Sequence, residues 1–307
     1  MIEVQQLSKF YANNRAIDQL NFKIEQGEII GLVGLNGAGK STILKIMSCH
    51  LTPSGGDVVI NGHSISEDTY KVRQQIGFLP EKPPLYEEMT AYKYLEFVAL
   101  LKDVPKSETV QKIEKVAKKT SLTHVLQRPI RELSYGYRQR VGIAQALVHN
   151  PAIVILDEPT NGLDPIQIVE MRDLILSLKG EHTVILSSHI LSEITKTCDR
   201  IIVLNKGKLV VEGSEQKIEE SMQHVGSVEI TIAPCQDKIL VDLNKLEGVS
   251  ECQISSISEG HLLNIQLERD IRGSIAKYLV ENDCEILEIK RIDAGLEDKF
   301  LKLLNKN

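Results

Sequence analysis

The run Glu28-Ile-Ile-Gly-Leu-Val33 leads directly into Gly34-Leu-Asn-Gly-Ala-Gly39-Lys40-Ser41. The first segment is an apolar run typical of a buried strand. The second matches the phosphate-loop pattern GxxxxGK[ST], which has meaning when a strand precedes it and a helix follows it. We expect a helix to begin at Gly39. The sequence therefore predicts an α/β fold in which this loop binds the phosphates of a nucleotide.

The residue types of this loop suit phosphate binding. Glycines let the backbone wrap with its amide hydrogens pointing at phosphate oxygens, and the helix start adds a partial positive charge. Lys40 supplies a charge for the β- and γ-phosphates, and the Ser41 hydroxyl is placed to ligate Mg²⁺. The alternative is a glycine turn without chemical meaning, which the strand and helix context disfavours. The predicted phosphate-binding residues are Gly34, Asn36, Gly37, Ala38, Gly39, Lys40, Ser41 and Thr42.

A second apolar strand is predicted at Ile153-Val-Ile-Leu-Asp157-Glu158, and it ends in two carboxylates. Such a strand carries its polar end to the sheet edge where a nucleotide would lie. We predict that Asp157 ligates Mg²⁺ and that Glu158 accepts a proton from an attacking water. Taken alone, this pattern is more often a simple exit from strand to loop. The phosphate loop elsewhere in the chain makes the chemical interpretation the better one.

Composition restricts the class of protein. The 307 residues suggest about two domains, and 42% hydrophobic with 25% charged residues is typical of a soluble globular chain. The five cysteines are scattered without a CxxC pair, so no zinc or redox site is expected. A net charge of -6 argues against a nucleic-acid partner. No run is long and apolar enough to span a membrane and no secretory signal is present, which predicts a cytoplasmic location.

The hydrophobic pattern divides the chain into a domain at 1–215 and a second at 216–307. In the first, short β-branched runs alternate with helical patterns and predict a largely parallel sheet. Between about 90 and 150 the strand signal disappears, which predicts an inserted helical subdomain with two apolar stripes. The strand runs are Val58–Ile60, Ile76–Leu79, Ile153–Asp157, Val184–Ser187 and Ile201–Leu204; the stripes are Tyr94, Phe97, Val98, Leu101 and Val110, Ile113, Ala117.

After Gly213 the pattern changes to strand, helix, strand, strand, helix, strand. This order predicts a small α+β domain with a ferredoxin-like arrangement. Its first helix is expected around Ile239 and Leu243, and its second is expected to be capped by Asp270. A closing amphipathic helix is expected around Phe300.

Three further elements resemble the ABC ATPase family in the family's own order, over about residues 2–213. Leu133-Ser134-Tyr135-Gly136-Tyr137 stands where the LSGGQ signature belongs, and Pro159-Thr-Asn-Gly-Leu-Asp164 is similar to the D-loop. Ser187-Ser-His189 ends a strand as the family's switch histidine does. The resemblance implies a P-loop NTPase fold of ABC type, with an antiparallel β subdomain and a helical subdomain.

The resemblance also implies roles for single residues. Tyr11 would stack on adenine, although a core tyrosine is a fair alternative, and His189 would contact the γ-phosphate. Ser134 and Gly136 would touch the γ-phosphate held by a second copy of the chain. Asp164 would border the nucleotide from the D-loop.

The chain departs from the family pattern at three positions. Glu81 stands in place of the usual Q-loop glutamine, and we expect it to reach Mg²⁺. Tyr135 and Tyr137 replace a glycine and the glutamine of the signature. These two changes leave the contacts of Tyr137 and the local geometry at Tyr135 to be determined.

The segments Leu79–Thr90 and Leu133–Arg140 look similar to bacterial exporter subunits of the multidrug and gliding-motility type. We therefore predict an ATPase with ATP and Mg²⁺ as cofactors and with Glu158, His189 and Lys40 as catalytic residues. It would drive an exporter through a separate transmembrane permease, act as an ATP-sandwich homodimer and lie on the inner face of the membrane. The alternatives are a soluble ABC ATPase that remodels a ribosome or DNA complex, and a P-loop kinase. A single P-loop and the lack of a heptad insertion disfavour the first, and the signature disfavours the second.

Overall fold

The chain divides into two units, Met1–Glu215 and Gln216–Asn307. The computed structural model describes residues 1–12, 14–221, 226–234, 242–257, 260–267, 269–292 and 300. None of the helices in these ranges is long and apolar enough to cross a bilayer.

The described residues of the first unit contain ten strands, seven α-helices that lie wholly within it and one 3₁₀-helix at Ile130–Glu132. The strands are β1 Ile2–Tyr11, β2 Asn14–Ile24, β3 Ile29–Val33, β4 Gly55–Ile60, β5 His63–Ser64, β6 Ile76–Leu79, β7 Ile153–Asp157, β8 Thr183–Ser188, β9 Arg200–Asn205 and β10 Lys208–Gly213. The helices are α1 Lys40–Met47, α2 Thr69–Gln75, α3 Ala91–Leu101, α4 Lys106–Lys119, α5 Tyr135–Leu147, α6 Pro165–Leu176 and α7 Leu191–Thr195.

The central sheet has the strand order β10-β9-β3-β8-β7-β6. Strands β9, β3, β8, β7 and β6 are parallel, and β10 pairs antiparallel with β9 at the edge. Every residue of β3, β7 and β8 is buried, because a parallel sheet is covered on both faces. The predicted parallel sheet is confirmed. A second, antiparallel sheet has the order β2-β1-β4-β5.

One hydrophobic core joins these two sheets to helix α1. The antiparallel sheet contributes Ile2 and Leu7, α1 contributes Ile43 and Leu44, and the parallel sheet contributes Ile30, all fully buried. Packing of α1 against both sheets holds its first turn at the end of β3. The loop between β3 and α1 is therefore fixed at both ends by buried structure.

The segment between β6 and β7 contains helices α3, α4 and α5 and no strand. Ile113 and Ala117 are buried as the predicted stripe requires. The prediction was wrong for Val110 and Leu101, which are 50% and 63% exposed. The buried face of α4 starts at Thr109 and continues through Ile113, so Val110 lies beside that face, while Leu101 is the last residue of α3.

The second unit is built on a four-stranded antiparallel sheet. Its elements are β11 Gly226–Ile232, β12 Val249–Ile257, β13 Gly260–Leu267, α9 Arg272–Glu281 and β14 Ile286–Ile292; helix α8, Glu215–Ser221, precedes them. The order β12-β13-β11-β14 places β13 between β11 and β12, as the split ferredoxin-like arrangement requires. Alternate residues Val228, Ile230 and Ile232 are buried against α9 residues such as Ile275.

The start of helix α9 differs from the expectation. Helix α9 begins at Arg272 with Ile271 at the cap position, so Asp270 is not the cap residue. Its carboxylate instead accepts from the backbone nitrogen of Arg272 at 3.3 Å and pairs with the Arg272 guanidinium at 2.7 Å. The helix expected around Ile239 and Leu243 is described only from residue 242, where a 3₁₀-helix spans Leu243–Lys245 and Leu243 is fully buried. The rest of that helix and most of the closing helix lie outside the described residues.

Candidate active site

The loop between β3 and α1 has the backbone of a phosphate cradle. Gly37 and Gly39 have φ of +82° and +108°, a backbone conformation that residues with a Cβ rarely adopt. A Cβ on Gly39 would stand 2.8 Å from the carbonyl oxygen of Ala16, whereas one on Gly37 would meet nothing within 4 Å. Gly39 is also the N-cap of α1, and no side chain caps that helix. The first-turn amides are therefore placed to receive an anion.

Lys40 turns inward over this loop. Its side chain is 6% exposed, and its Nζ donates to the carbonyl oxygen of Gly34 at 2.7 Å. The same Nζ lies 3.5 Å from Oε1 of Glu158. A buried ammonium with one carboxylate partner is suited to meet the negative charge of a phosphate.

Asp157 ends β7 and is 2% exposed. Its Oδ1 accepts from the hydroxyls of Ser41 at 3.1 Å and Ser187 at 2.7 Å. The oxygens of Ser41 and Asp157, next to the phosphate loop, are hard ligands of the kind that Mg²⁺ prefers. Mg²⁺ at nucleotide sites is usually bound by one or two protein oxygens together with phosphate oxygens. The described residues contain no group of three or more His, Cys, Asp or Glu that could hold a metal by themselves. The donor set fits Mg²⁺ bound together with a nucleotide.

Glu158 follows Asp157 and has φ of +49°, an uncommon conformation for a residue with a side chain. Its carboxylate is largely buried, and Oε2 lies 2.9 Å from Nδ1 of His189. Its backbone nitrogen donates to the hydroxyl of Ser187 at 2.9 Å. The carboxylate is thus held between a lysine and a histidine, where it can accept a proton from a water.

The sequence interpretation missed Ser187. This residue pairs in register with Asp157 across β7 and β8, and its hydroxyl bridges the Asp157 carboxylate and the Glu158 amide. Its only sequence signal is a polar residue at the end of a buried parallel strand. Ser187 fixes the two acids relative to each other.

Most of the predicted residues line one cavity of about 400 Å³. Tyr11 is at its edge, 46% exposed, with Nζ of Lys9 5.5 Å from the ring centroid. Glu81 lies in the same lining and is exposed. The lining also includes four residues that were not predicted. The full set is Tyr11, Asn14, Ala16, Leu35, Asn36, Gly37, Ala38, Gly39, Lys40, Ser41, Thr42, Glu81, Glu158, Asn161 and His189.

The signature residues lie elsewhere in this chain. Ser134 and Gly136 line a separate cavity of about 480 Å³ with Tyr137 and Arg140. Asp164 is the N-cap of α6, where its Oδ1 accepts from the backbone nitrogen of Gln167 at 2.9 Å. Within a single chain, the signature therefore does not face the phosphate loop.

Comparisons with known proteins identify the family of the chain. The ABC transporter family model matches residues 17–161. The chain is 36% identical to the uncharacterised ABC transporter ATP-binding protein YhcH of Bacillus subtilis, over 99% of this chain and 95% of that protein. It is 31% identical to the bacitracin transport ATP-binding protein BcrA of Bacillus licheniformis, over 99% of this chain and 97% of that protein.

A solved structure shows the same fold. It is the dimeric post-hydrolysis state of an ATP-binding cassette bound to ADP and Pi, with 28% identity and a TM-score of 0.64 over 70% of this chain and 98% of that one. The predicted fold class is confirmed. The chain belongs to the ABC transporter family and is one of its ATP-binding, ATP-hydrolysing subunits.

Proposed function

We propose that this chain is the ATP-hydrolysing motor of an exporter, that it acts as a homodimer on a separate transmembrane permease, and that it lies on the inner face of the membrane. The observation that carries the proposal is the meeting of Lys40, Glu158 and His189 in one cavity. The likeness to BcrA supports a role in transport.

The contacts support specific roles in hydrolysis. The loop amides and Lys40 hold the β- and γ-phosphates, and the exposed ring of Tyr11 stacks on the adenine. Ser41 and Asp157 would hold Mg²⁺, and Glu81 in the lining of the nucleotide cavity would be a further oxygen ligand. When bound, the ion would neutralise phosphate charge. Glu158 takes the proton of the attacking water. His189 lies 2.9 Å from the Glu158 carboxylate through its Nδ1, lines the same cavity and would contact the γ-phosphate.

Dimerisation would complete the site. Ser134 is exposed and caps α5, and it lies outside the cavity of the phosphate loop. Two copies placed head to tail bring Ser134 and Gly136 of one to the γ-phosphate held by the other, with Asp164 of the D-loop nearby. ATP then contacts both copies only in the closed state, so that it stabilises that state by its differential affinity.

Changing Ser134 tests this arrangement. We expect Ser134→Asp to weaken the ATP-dependent dimer by at least about 10-fold, because a carboxylate would face the γ-phosphate. Aspartate still caps a helix, so α5 should be preserved. The dimer is measured by light scattering in the Glu158→Gln background, where ATP persists. Ser134→Asn is the matched control, since it keeps the cap without the charge. Equal dimerisation of the Ser134→Asp and Ser134→Asn chains would reject the head-to-tail contact.

The permease would dock beside the segment from Glu81 to Thr90. This segment begins in the nucleotide cavity and ends at Thr90, whose hydroxyl caps α3 by accepting from the nitrogen of Lys93 at 3.2 Å. Between them, Tyr86 is 51% exposed, with its ring 5.6 Å from that of Phe97. An exposed aromatic side chain on the segment that joins the nucleotide cavity to the helical subdomain is suited to contact the permease.

Removing this contact should uncouple the two subunits. We expect the double change Leu85→Ala and Tyr86→Ala to lower recovery of the chain with its permease by at least about fivefold, since buried aromatic contacts dominate interface energies. The measurement is co-purification from membranes with a tagged permease. Tyr70→Ala, at a 68% exposed tyrosine on α2, is the control. Unchanged recovery would contradict docking at this segment, and recovery with ribosomes would contradict the transport role.

A further inference from the structure

Tyr135 connects the signature helix to the D-loop of the same chain. It is the first residue of α5, directly after the cap residue Ser134. Its hydroxyl donates to the carbonyl oxygen of Asn161 at 3.1 Å and accepts from Nε2 of Gln139 at 2.8 Å. Gln139 is 1% exposed, so one partner of this hydroxyl is anchored in the interior.

The ring of Tyr135 adds a packing contact to this link. A Cβ built on Gly162 would stand 3.2 Å from Cε1 of the ring, so the ring lies directly against this glycine. Gly162 also has φ of +76°, which favours glycine for a second reason. The tyrosine therefore holds two consecutive D-loop residues, Asn161 by a hydrogen bond and Gly162 by contact.

The D-loop held in this way leads back to the hydrolytic carboxylate. The backbone nitrogen of Asn161 donates to the carbonyl oxygen of Glu158 at 3.2 Å, which closes a turn between them. Asn161 also lines the nucleotide cavity together with Glu158. The positive φ of Glu158 is a strained conformation that surrounding contacts must maintain.

We infer that Tyr135 is a positioning residue that links two events. The first is contact of the signature with the nucleotide of a second copy, and the second is the placement of Glu158 at the chain's own nucleotide. This inference rests on the proposed homodimer. Ser134 and Gly136 flank Tyr135, so a phosphate bound there acts on the first turn of α5. A displacement of this first turn is transmitted to Asn161 through the hydroxyl of Tyr135. It is transmitted further to Glu158 through the turn between Asn161 and Glu158.

Tyr135→Phe tests the inference, because it keeps the ring and removes both hydrogen bonds. In the nucleotide-free chain, hydrogen exchange of the Asn161 and Leu163 amides should become at least about fivefold faster, while exchange in β3 and α1 stays unchanged. Steady-state turnover should fall about 10-fold with the dissociation constant for ATP within about twofold. Tyr70→Phe is the matched control, since it removes one exposed hydroxyl that donates to Asp103.

The two readouts separate the possible failures. Exchange and turnover both within about twofold of the native chain would overturn the inference, and so would a change in either one alone. A general loss of stability would raise exchange in β3 and α1 as well, which would also overturn a local role for Tyr135. Failure of the native chain to dimerise with ATP would reject the homodimer instead. Because exchange is measured without nucleotide, the contact of Tyr135 with the D-loop is judged independently of that result.

Discussion

Replacing Glu158 with glutamine should lower steady-state ATP hydrolysis by a factor of at least about 10² and leave ATP binding intact. The carboxylate is largely buried, with Oε1 3.5 Å from Nζ of Lys40 and Oε2 2.9 Å from Nδ1 of His189. Glutamine has the same shape and can still bond both neighbours. An amide, however, does not accept a proton from water, so only the chemical step is lost.

The measurement is phosphate release at saturating ATP, combined with equilibrium binding of ATP. Glu181→Gln is the matched control, because Glu181 is an exposed carboxylate that pairs with Lys119 at 2.9 Å. We expect its turnover to stay within about twofold of the native chain, as for most surface changes. Turnover of Glu158→Gln close to that of the control would show that another group accepts the proton.

The sequence predicts best those parts of the fold that are determined by one dominant physical effect, such as the burial of an apolar strand. Strand β7 has the predicted limits, Ile153 and Asp157, because an uninterrupted apolar run has no stable place except inside a covered sheet. The parallel order of the core also follows from alternating strands and helices. The phosphate loop is recognisable because its backbone needs glycine at defined positions, as Gly39 shows.

The errors occur where the local pattern leaves more than one outcome. Val110 fits a helical stripe by spacing, yet the direction of the buried face of α4 is decided by which helices surround it. Asp270 has the right side chain for a cap, and α9 starts one residue later than that role requires. For Val110, packing against neighbouring helices decides between local alternatives of similar free energy. For Asp270, the difference is a shift of one residue in the start of the helix.

The site contains two links that no spacing rule predicts. Ser187 reaches Asp157 because β7 and β8 are in register, although 30 residues separate them in the chain. Tyr135 reaches Asn161 across 26 residues because the start of α5 lies beside the D-loop. Such contacts depend on the relative position of elements, which one sequence does not encode in any local pattern. The motifs predict the chemistry, and the tertiary structure shows which residues hold it in place.

Replacing Lys40 with methionine should weaken ATP binding, whereas Glu158→Gln should lower hydrolysis and leave binding intact. The apolar stem is retained, so the buried position stays filled while the charge is removed. Hydrogen bonds to charged groups contribute about 1.5–3 kcal/mol, and loss of the phosphate contact should therefore weaken ATP binding by roughly 10- to 150-fold. Lys23→Met, at a 65% exposed lysine paired with Glu3, is the control.

The choice of nucleotide makes this result specific to the phosphate cradle. Lys40 lies where the β- and γ-phosphates are expected, so Lys40→Met should weaken ATP most, ADP less and AMP by no more than about twofold, as measured by isothermal titration calorimetry. Lys40 also donates to the Gly34 carbonyl oxygen at 2.7 Å, so its replacement removes a bond within the loop. An equal loss of affinity for all three nucleotides would therefore indicate that the loop has collapsed. Native affinity for ATP would show that the loop amides alone bind the phosphates. Because Glu158→Gln changes turnover at constant binding and Lys40→Met changes binding first, the two variants together separate the hold on the nucleotide from its hydrolysis.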